Sequence, residues 1–239
     1  MAVTQIPLPA INNAIREVCS ALEERYHQPH FWTNMTEDEL WRELVACILG
    51  SRVRFEVAHS AVERMERGRL FCEHRRASRF QQYERDVLVA LYKKDSPDEP
   101  YRYPFSRVRA NQIRRAAEKF YGNSYTLRSF LENSHSIQDA RRRLVLDVPG
   151  LGPKQTSLFL RNIGYAAHVA ILDVHVLTYM SWVGLTETPI KVVPTVRKYE
   201  ALEEAFIKHA YSFGYTPDRF DLAVWVVVRV AKEEQKTWE

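Results

Sequence analysis

The sequence contains little cysteine and no long apolar segment. Its three cysteines, Cys19, Cys47 and Cys72, are widely spaced and form no CxxC pair, which excludes a disulfide framework and an iron–sulfur cluster. The longest uncharged apolar runs, such as residues 222–228, are far shorter than the about 20 residues that a membrane span needs. The first ten residues lack the basic and apolar regions of a secretory signal. We therefore expect an intracellular, soluble protein of the cytoplasm, nucleoid or nucleus, with no membrane partner.

The sequence also lacks sustained two-residue alternation, internal repeats and low-complexity tracts. Apolar residues instead recur at helical spacing, as they do at Ile11, Ile15, Val18, Leu22 and Tyr26. This pattern predicts an all-α fold.

Start and stop signals divide the chain into helices. Thr36 and Glu39 form a capping-box pattern. Ser106 precedes a periodic apolar set that stops at Gly122, and Pro217 stands at a favourable first helical position. Further helices are predicted over residues 54–67, 80–93, 137–147, 153–165, 174–183, 197–212 and 217–235.

Charge is distributed unevenly along the chain, whose formal net charge is +4. Residues 64–115 carry 14 basic and 7 acidic side chains, whereas residues 1–63 carry 5 basic and 9 acidic ones. A basic middle between acidic ends suits a protein that lays its centre along a polyanion. A solvated surface explains the same pattern, so both interpretations stay open.

The chemistry concentrates in residues 147–180. The run of residues 148–152, Val-Pro-Gly-Leu-Gly, predicts a tight turn, and Pro153 then opens an amphipathic helix. Gly150 and Gly152 let the backbone approach a partner closely, and the outward amides of a helix start attract an anion such as phosphate. A plain loop between packed helices is the alternative.

Two ionisable residues of this segment suit catalysis. Lys154 lies in the first helical turn, where the helix dipole disfavours a cation, so it could act as an amine nucleophile. An exposed lysine that reaches water is the alternative. Asp173, nineteen residues later, would cap the next predicted helix. A buried carboxylate near a nucleophilic amine would also stabilise positive charge that develops on a sugar.

In combination, these motifs resemble the helix-hairpin-helix DNA glycosylase superfamily. Its pattern is a Pro-Gly-x-Gly hairpin, a lysine at the start of the next helix and an aspartate about one helix and loop later, as in residues 148–154 and 171–175. Residues 157–165 are most similar to the 8-oxoguanine DNA glycosylase/lyases of the archaeal type, the second Ogg class. Residues 43–52 resemble the early helix that ends near the DNA, and residues 220–225 resemble the final helix.

The resemblance implies a two-lobed helical bundle with a DNA-binding cleft between its lobes. Residues 1–239 would form a single glycosylase unit. Its central DNA-binding and catalytic lobe would comprise residues 36–186, with the helix-hairpin-helix motif at 137–165, and residues 1–35 and 187–239 would pack as the second lobe. The expected partner is double-stranded DNA that contains a damaged base, and we expect a monomer.

The resemblance also implies the roles of individual residues. Lys154 would attack the sugar C1′, expel 8-oxoguanine and form a Schiff base, and β-elimination would then cut the strand. Asp173 would stabilise the cationic sugar. Gly150 and Gly152 would bind a DNA phosphate. His175 could donate to a phosphate too, or it could be an exposed histidine of the first helical turn. No cofactor or catalytic metal is required, although a monovalent cation could bind the hairpin carbonyls.

Three further residues are candidates for the base pocket or for reading the duplex. Arg52 could enter the duplex near the extruded base, or it could be an ordinary surface arginine. Trp225 could stack on the base, or it could belong to the core, and Asp221 could face the same pocket. The basic run Arg141–Arg143 could add phosphate contacts, although a solvated helix surface explains it too.

Other functions stay open at this level. The same scaffold could remove another damaged base, or it could be a noncatalytic helix-hairpin-helix module that binds DNA. No motif typical of RNA recognition supports an RNA-binding function. The basic segment from 64 to 104 could clamp DNA or bind a partner protein.

Overall fold

The computed structural model describes residues 7–22, 31–73, 79–92, 103–123 and 125–237. These ranges contain helices and no strand, which confirms the all-α prediction. A short 3-10 turn covers Phe31–Thr33, and the α-helices are α1 (Leu8–Ala21), α2 (Glu37–Leu49), α3 (Phe55–Arg67), α4 (Leu70–Glu73), α5 (Phe80–Tyr92), α6 (Ser106–Tyr121), α7 (Leu127–Glu132), α8 (Ile137–Asp147), α9 (Pro153–Asn162), α10 (Val174–Trp182), α11 (Val196–Ser212) and α12 (Pro217–Thr237).

Local capping explains where several helices begin. At the start of α2, the Glu39 amide donates to Thr36 Oγ1 at 3.2 Å, and the Thr36 amide donates to Glu39 Oε2 at 2.6 Å. This is the predicted capping box, which satisfies amides that the helix itself leaves without partners.

Most predicted helix boundaries lie within one or two residues of those observed, and two boundaries differ for a clear physical reason. Ser106 is the first residue of α6 instead of its cap, since its hydroxyl donates to the Tyr103 carbonyl at 2.8 Å. Helix α9 ends at Asn162, three residues early, because Gly164 adopts a positive φ of 71° and the Tyr165 amide closes the end on the Leu160 carbonyl at 2.9 Å. The short helices α4 and α7 were not predicted.

The described chain divides into two compact units between residues 165 and 166. The first unit holds residues 7–22 and 166–237, and the second holds the described part of 31–165. The family resemblance instead implied that one lobe comprises residues 36–186, with its boundaries at 35 and 186. Residues 166–186 belong to the first unit because Leu172, Val176 and Tyr179 are buried in its core.

The first unit is built around α12, which contacts α1, α10 and α11. Its core is apolar and rich in aromatic rings, with Phe206, Phe213 and Phe220 packed ring against ring at centroid distances of 5.0 to 5.5 Å. Tyr179 of α10 packs against Phe220 with ring centroids 6.0 Å apart, so this core also positions α10.

The second unit is built around α2, which contacts α3, α4, α6, α7 and α9. The Glu37 carboxylate ties the start of α2 to the start of α7, since it accepts from the Leu127 amide at 2.7 Å, the Arg128 amide at 3.2 Å and the Tyr121 hydroxyl at 2.7 Å. Helices α8 and α9 pack together and carry the hairpin between them.

Several basic residues of the middle segment stabilise this packing. The buried Arg64 donates to the Ala90 carbonyl and to the Ser60 hydroxyl, each at 2.8 Å, and thereby joins α3 to α5. Arg114 on α6 pairs with Glu84 on α5 at 2.6 Å. In the basic segment from 64 to 104, residues 74–78 and 93–102 lie outside the described residues. The role of this segment as a DNA clamp or partner site stays a prediction.

Within the described ranges, no helix is both long enough and apolar enough to span a membrane.

Candidate functional site

The turn between α8 and α9 is tight and depends on glycine. Leu151 donates its amide to the Val148 carbonyl at 3.2 Å, and Gly150 adopts a φ of 89°. A Cβ atom at Gly150 would lie 2.4 Å from Gln112 Oε1 and 3.0 Å from Arg109 Nη1. The backbone conformation therefore favours glycine at this position, and any side chain would also displace the ends of Gln112 and Arg109.

At Gly152, in contrast, the structure leaves room for a side chain. Gly152 is exposed, its φ is −86°, and a Cβ atom there would meet nothing within 4 Å. Its carbonyl accepts hydrogen bonds from both the amide and the hydroxyl of Thr156, at 2.9 and 3.0 Å, and these bonds stabilise the first turn of α9. The first-turn amides of such a helix have no partner inside the helix, so this end favours an anion.

A cleft of about 460 Å³ lies beside the hairpin. Two arginines contribute to it: Arg52, which is exposed, and Arg109, which is buried. Arg109 donates to Gln112 Oε1 at 2.7 Å and to the Ser51 carbonyl at 2.9 Å, and so joins α6 to the end of α2. The described residues that line the cleft include no acidic side chain, and they are Ser51, Arg52, Phe105, Val108, Arg109, Gln112, Val145 and residues 148–152. Its positive charge suits a phosphate.

Lys154 is half-buried at the start of α9 and is held toward α2. Its Nζ donates to Gln155 Oε1 at 3.2 Å, and Gln155 Nε2 donates to the Cys47 carbonyl at 2.8 Å. Burial and the nearby Glu43 carboxylate raise the pKa of the Cys47 thiol well above its usual value, and the charge of Lys154 opposes them. The ammonium group of Lys154 therefore lies close to this surface of α2.

Asp173 caps α10 in the first unit. Its Oδ1 accepts from the amides of His175 and Val176, both at 2.9 Å, and the residue is half-buried. These two bonds orient the carboxylate, as an N-cap residue requires.

Two candidate residues from α10 and α12 meet beside this cap. The ring of His175 stands edge-on to the ring of Trp225, with centroids 6.3 Å apart at an angle of 85°. The guanidinium of Arg229 lies over the Trp225 ring at 5.1 Å. Trp225 is half-buried, so part of its ring is accessible to solvent.

Asp221 has a structural role instead of lining an open pocket. It is 3% exposed, and its Oδ2 accepts from the Ile171 amide at 2.7 Å. Glu203 accepts from the Ala170 amide at 3.0 Å in the same way. The backbone of residues 170–171 has no helical partner for these amides, so buried carboxylates supply one and hold the segment that leads to Asp173.

Most of the chain matches a known protein family. The model of the helix-hairpin-helix 8-oxoguanine DNA glycosylase family matches residues 22–215. The chain belongs to this family. It is 28% identical over 194 residues to an 8-oxoguanine DNA glycosylase/AP lyase of Saccharolobus islandicus, covering 80% of this chain and 84% of the relative. It is 32% identical over 162 residues to one of Sulfurisphaera tokodaii, covering 66% and 68%.

Solved structures of glycosylases share the fold. The 8-oxoguanine DNA glycosylase of Thermotoga maritima matches with a TM-score of 0.68 and 26% identity, over 92% of this chain and 96% of that one. The Methanocaldococcus jannaschii 8-oxoguanine glycosylase/lyase, in complex with a 15mer DNA that contains 8-oxoguanine, matches with a TM-score of 0.60 and 22% identity, over 91% and 88%.

The predicted residues of this 8-oxoguanine DNA glycosylase family member fall into two groups. The second unit brings Arg52 to the hairpin glycines, and it also carries Lys154. The first unit groups His175 and Trp225 beside the Asp173 cap. The Arg141–Arg143 run is partly structural, since Arg141 is 1% exposed and Arg143 donates to the Asn133 carbonyl at 2.9 Å.

Three residues of this glycosylase site were not predicted from the sequence: Arg109, Gln112 and Gln155. Gln155 had a signal, because it lies four residues before the buried Phe159 and so falls on the buried surface of α9. Arg109 and Gln112 had none, since only tertiary packing brings α6 to the hairpin.

Proposed function

We propose that this chain is a bifunctional DNA glycosylase and AP lyase that removes 8-oxoguanine from double-stranded DNA. The proposal rests on the position of Lys154. This lysine lies in the first turn of α9 and directly follows the glycine hairpin, which lines a positively charged cleft. Its relatives are named as 8-oxoguanine DNA glycosylase/AP lyases, and the Methanocaldococcus jannaschii neighbour was solved with DNA containing 8-oxoguanine.

In the proposed reaction the damaged nucleotide is first extruded from the duplex, which costs a few kcal/mol of unstacking and unpairing. The neutral Lys154 amine then forms a bond to C1′ as the bond from C1′ to the base breaks. The base leaves with the bonding electron pair and takes up a proton. The attached amine loses a proton and the sugar ring opens to a Schiff base. Removal of a C2′ proton then expels the 3′ phosphate, which completes β-elimination.

Asp173 stabilises the positive charge on the sugar and takes part in moving the lysine proton in this proposal. The two amide bonds that orient its carboxylate support that role. Gly150, Gly152 and Arg52 hold backbone phosphates, because the helix start and the cleft both favour an anion. His175 contacts a phosphate, and Trp225 offers the extruded base a stacking surface.

The reaction as proposed needs no cofactor. A monovalent cation on the hairpin carbonyls remains part of the proposal. The Val148 and Gly152 carbonyls already accept hydrogen bonds from Leu151 and Thr156, so the cation would share these oxygens or use those of the residues between them. Replacing potassium by choline at constant ionic strength tests this, since a bound cation predicts weaker DNA binding in choline.

Borohydride trapping tests the proposed function. The substrates are labelled duplexes with one 8-oxoguanine, one uracil, one thymine glycol, one preformed abasic site or no damage, and the proteins are wild type, Lys154→Gln and Asp173→Asn. We expect a covalent product on the 8-oxoguanine strand with the wild type and none with Lys154→Gln.

Other outcomes select the other functions. Trapping on uracil or thymine glycol but not on 8-oxoguanine would assign another lesion to the same chemistry. Tight DNA binding without trapping on any duplex would favour the noncatalytic helix-hairpin-helix module.

A further inference from the structure

We propose that Gln155 is a positioning residue that holds the Lys154 amine in its reactive orientation, an inference that rests on the proposed Schiff-base function. Gln155 does not touch the substrate in this proposal. It acts through Lys154, whose Nζ it holds at 3.2 Å.

The contact between these two side chains is unusual for a helix. Neighbouring residues of an α-helix project about 100° apart and do not face each other. Lys154 nevertheless reaches Gln155 Oε1. Its side chain is therefore turned toward the contact between α2 and α9 instead of extending freely into water.

The orientation of the Gln155 amide is set from α2. Gln155 is 5% exposed, and its Nε2 donates to the Cys47 carbonyl at 2.8 Å. Cys47 lies in the last turn of α2, where carbonyls have no partner inside the helix. Because an amide presents donors on nitrogen and an acceptor on oxygen, this bond leaves only Oε1 to face Lys154. The end of α2 thus sets the orientation of the Gln155 amide, and this amide in turn orients the Lys154 amine.

The neutrality of Gln155 matters as much as its position. A carboxylate at this place would form an ion pair and would favour the protonated, unreactive form of the lysine. An amide oxygen orients the amine with a weaker preference for its charged form. Among the titrating groups on the packed helices, Glu43 on α2 accepts from the Cys47 thiol at 3.7 Å, and Asp147 on α8 pairs with Lys119 at 3.1 Å.

Two variants of Gln155 and one control separate this role from a merely structural one. Gln155→Met keeps the length of the side chain and removes both hydrogen bonds. Gln155→Glu keeps an acceptor toward Lys154 and adds charge. Ser157→Ala is the control, because the Ser157 hydroxyl is also buried in α9 but donates to the Pro153 carbonyl at 3.0 Å.

The measurement is the single-turnover rate of borohydride trapping on a preformed abasic duplex, followed over pH, together with the Kd for that duplex and the melting temperature. We expect Gln155→Met to slow trapping by about tenfold, since a misplaced nucleophile loses its attack geometry, and to change Kd by less than about twofold. We expect Gln155→Glu to move the pH of half-maximal rate upward. Ser157→Ala should keep the wild-type pH profile.

Wild-type trapping rates in Gln155→Met, an unshifted profile in Gln155→Glu, or an equal loss in Ser157→Ala would each overturn the positioning role while the proposed function stands. If Gln155→Met does not fold, the profile of the nearly isosteric Gln155→Glu decides. If the wild type traps no duplex, the proposed function fails and the positioning role fails with it.

Discussion

Two glycines of one turn have different reasons to be glycine. At Gly150 the backbone has a φ of 89°, which is strained for any residue with a side chain, and a side chain would also displace the end of Gln112. At Gly152 a side chain would meet open space. The first residue is needed to form the hairpin, whereas the second leaves room in front of the helix start.

This contrast gives a prediction for the two alanine variants. Gly150→Ala should destabilise the fold by about 2 kcal/mol, because the alanine must adopt a left-handed conformation against α6. Gly152→Ala should melt like the wild type but bind DNA several-fold more weakly, because its methyl group enters the space that a phosphate would occupy. Thermal unfolding and fluorescence anisotropy with an abasic-analogue duplex measure both effects. Equal DNA binding by Gly152→Ala and wild type would contradict a phosphate contact at this turn.

Arg52 allows a second prediction at the scale of single residues. It is exposed and lines the cleft beside the hairpin, so we expect Arg52→Ala to weaken binding to all duplexes alike and to reduce the slope of log K against log salt by about 1. Arg54→Ala is the control, since Arg54 is also exposed but does not line this cleft. A loss that depends on the base opposite 8-oxoguanine would instead show that Arg52 reads the duplex.

At the scale of elements, α10 combines a structural cap with a proposed catalytic carboxylate. Asp173→Asn should preserve stability, because asparagine is an equally good N-cap, whereas Asp173→Ala should cost about 1 kcal/mol. Both variants should lose trapping activity, since neither carries the charge. Melting curves and trapping rates on the 8-oxoguanine duplex separate the two roles, and normal activity in Asp173→Asn would refute the electrostatic one.

Elements differ in how far their sequence predicted them. Helices α2, α8 and α9 begin at signals within a few residues of their starts, namely the Thr36 capping box, the Ser136 cap and Pro153, and their predicted starts are confirmed. Helix α7 has only six residues, and the Glu37 carboxylate from a distant helix binds its first amides. Because a short helix gains little from its own hydrogen bonds, such contacts decide whether it forms.

At the scale of the whole molecule, the half-buried His209 couples stability to pH. Tyr179 donates its hydroxyl to Asn12 at 3.0 Å and also bonds to His209 Nε2 at 3.0 Å. Burial lowers the pKa of His209 below its ordinary value of 6.5. The unfolded chain therefore binds a proton at higher pH than the folded one, so stability falls as pH drops through 6.5 toward the folded pKa.

We expect the melting temperature to decrease over this acidic window and the decrease to be smaller in His209→Gln, whose amide can still bond to Tyr179 without titrating. Calorimetry at a series of pH values measures both proteins. The His168→Gln variant is the control, because His168 is largely exposed. An unchanged slope in His209→Gln would show that other groups cause the acid sensitivity.

The sequence by itself determined the helical class, the turn at residues 148–152, and the places of Lys154 and Asp173 at two helix starts. These features depend on glycine conformation, capping and apolar periodicity, all of which act within a few residues of the chain.

Only the tertiary structure decided which distant side chains complete the site. Packing of buried apolar surfaces brings α6 to the hairpin, so that Arg109 and Gln112 contact Gly150. The same packing brings α2 to α9, so that the Cys47 carbonyl orients Gln155. It also places residues 166–186 in the first unit, since their apolar side chains are buried against α12. Such contacts join residues far apart in the chain, and no local pattern encodes them.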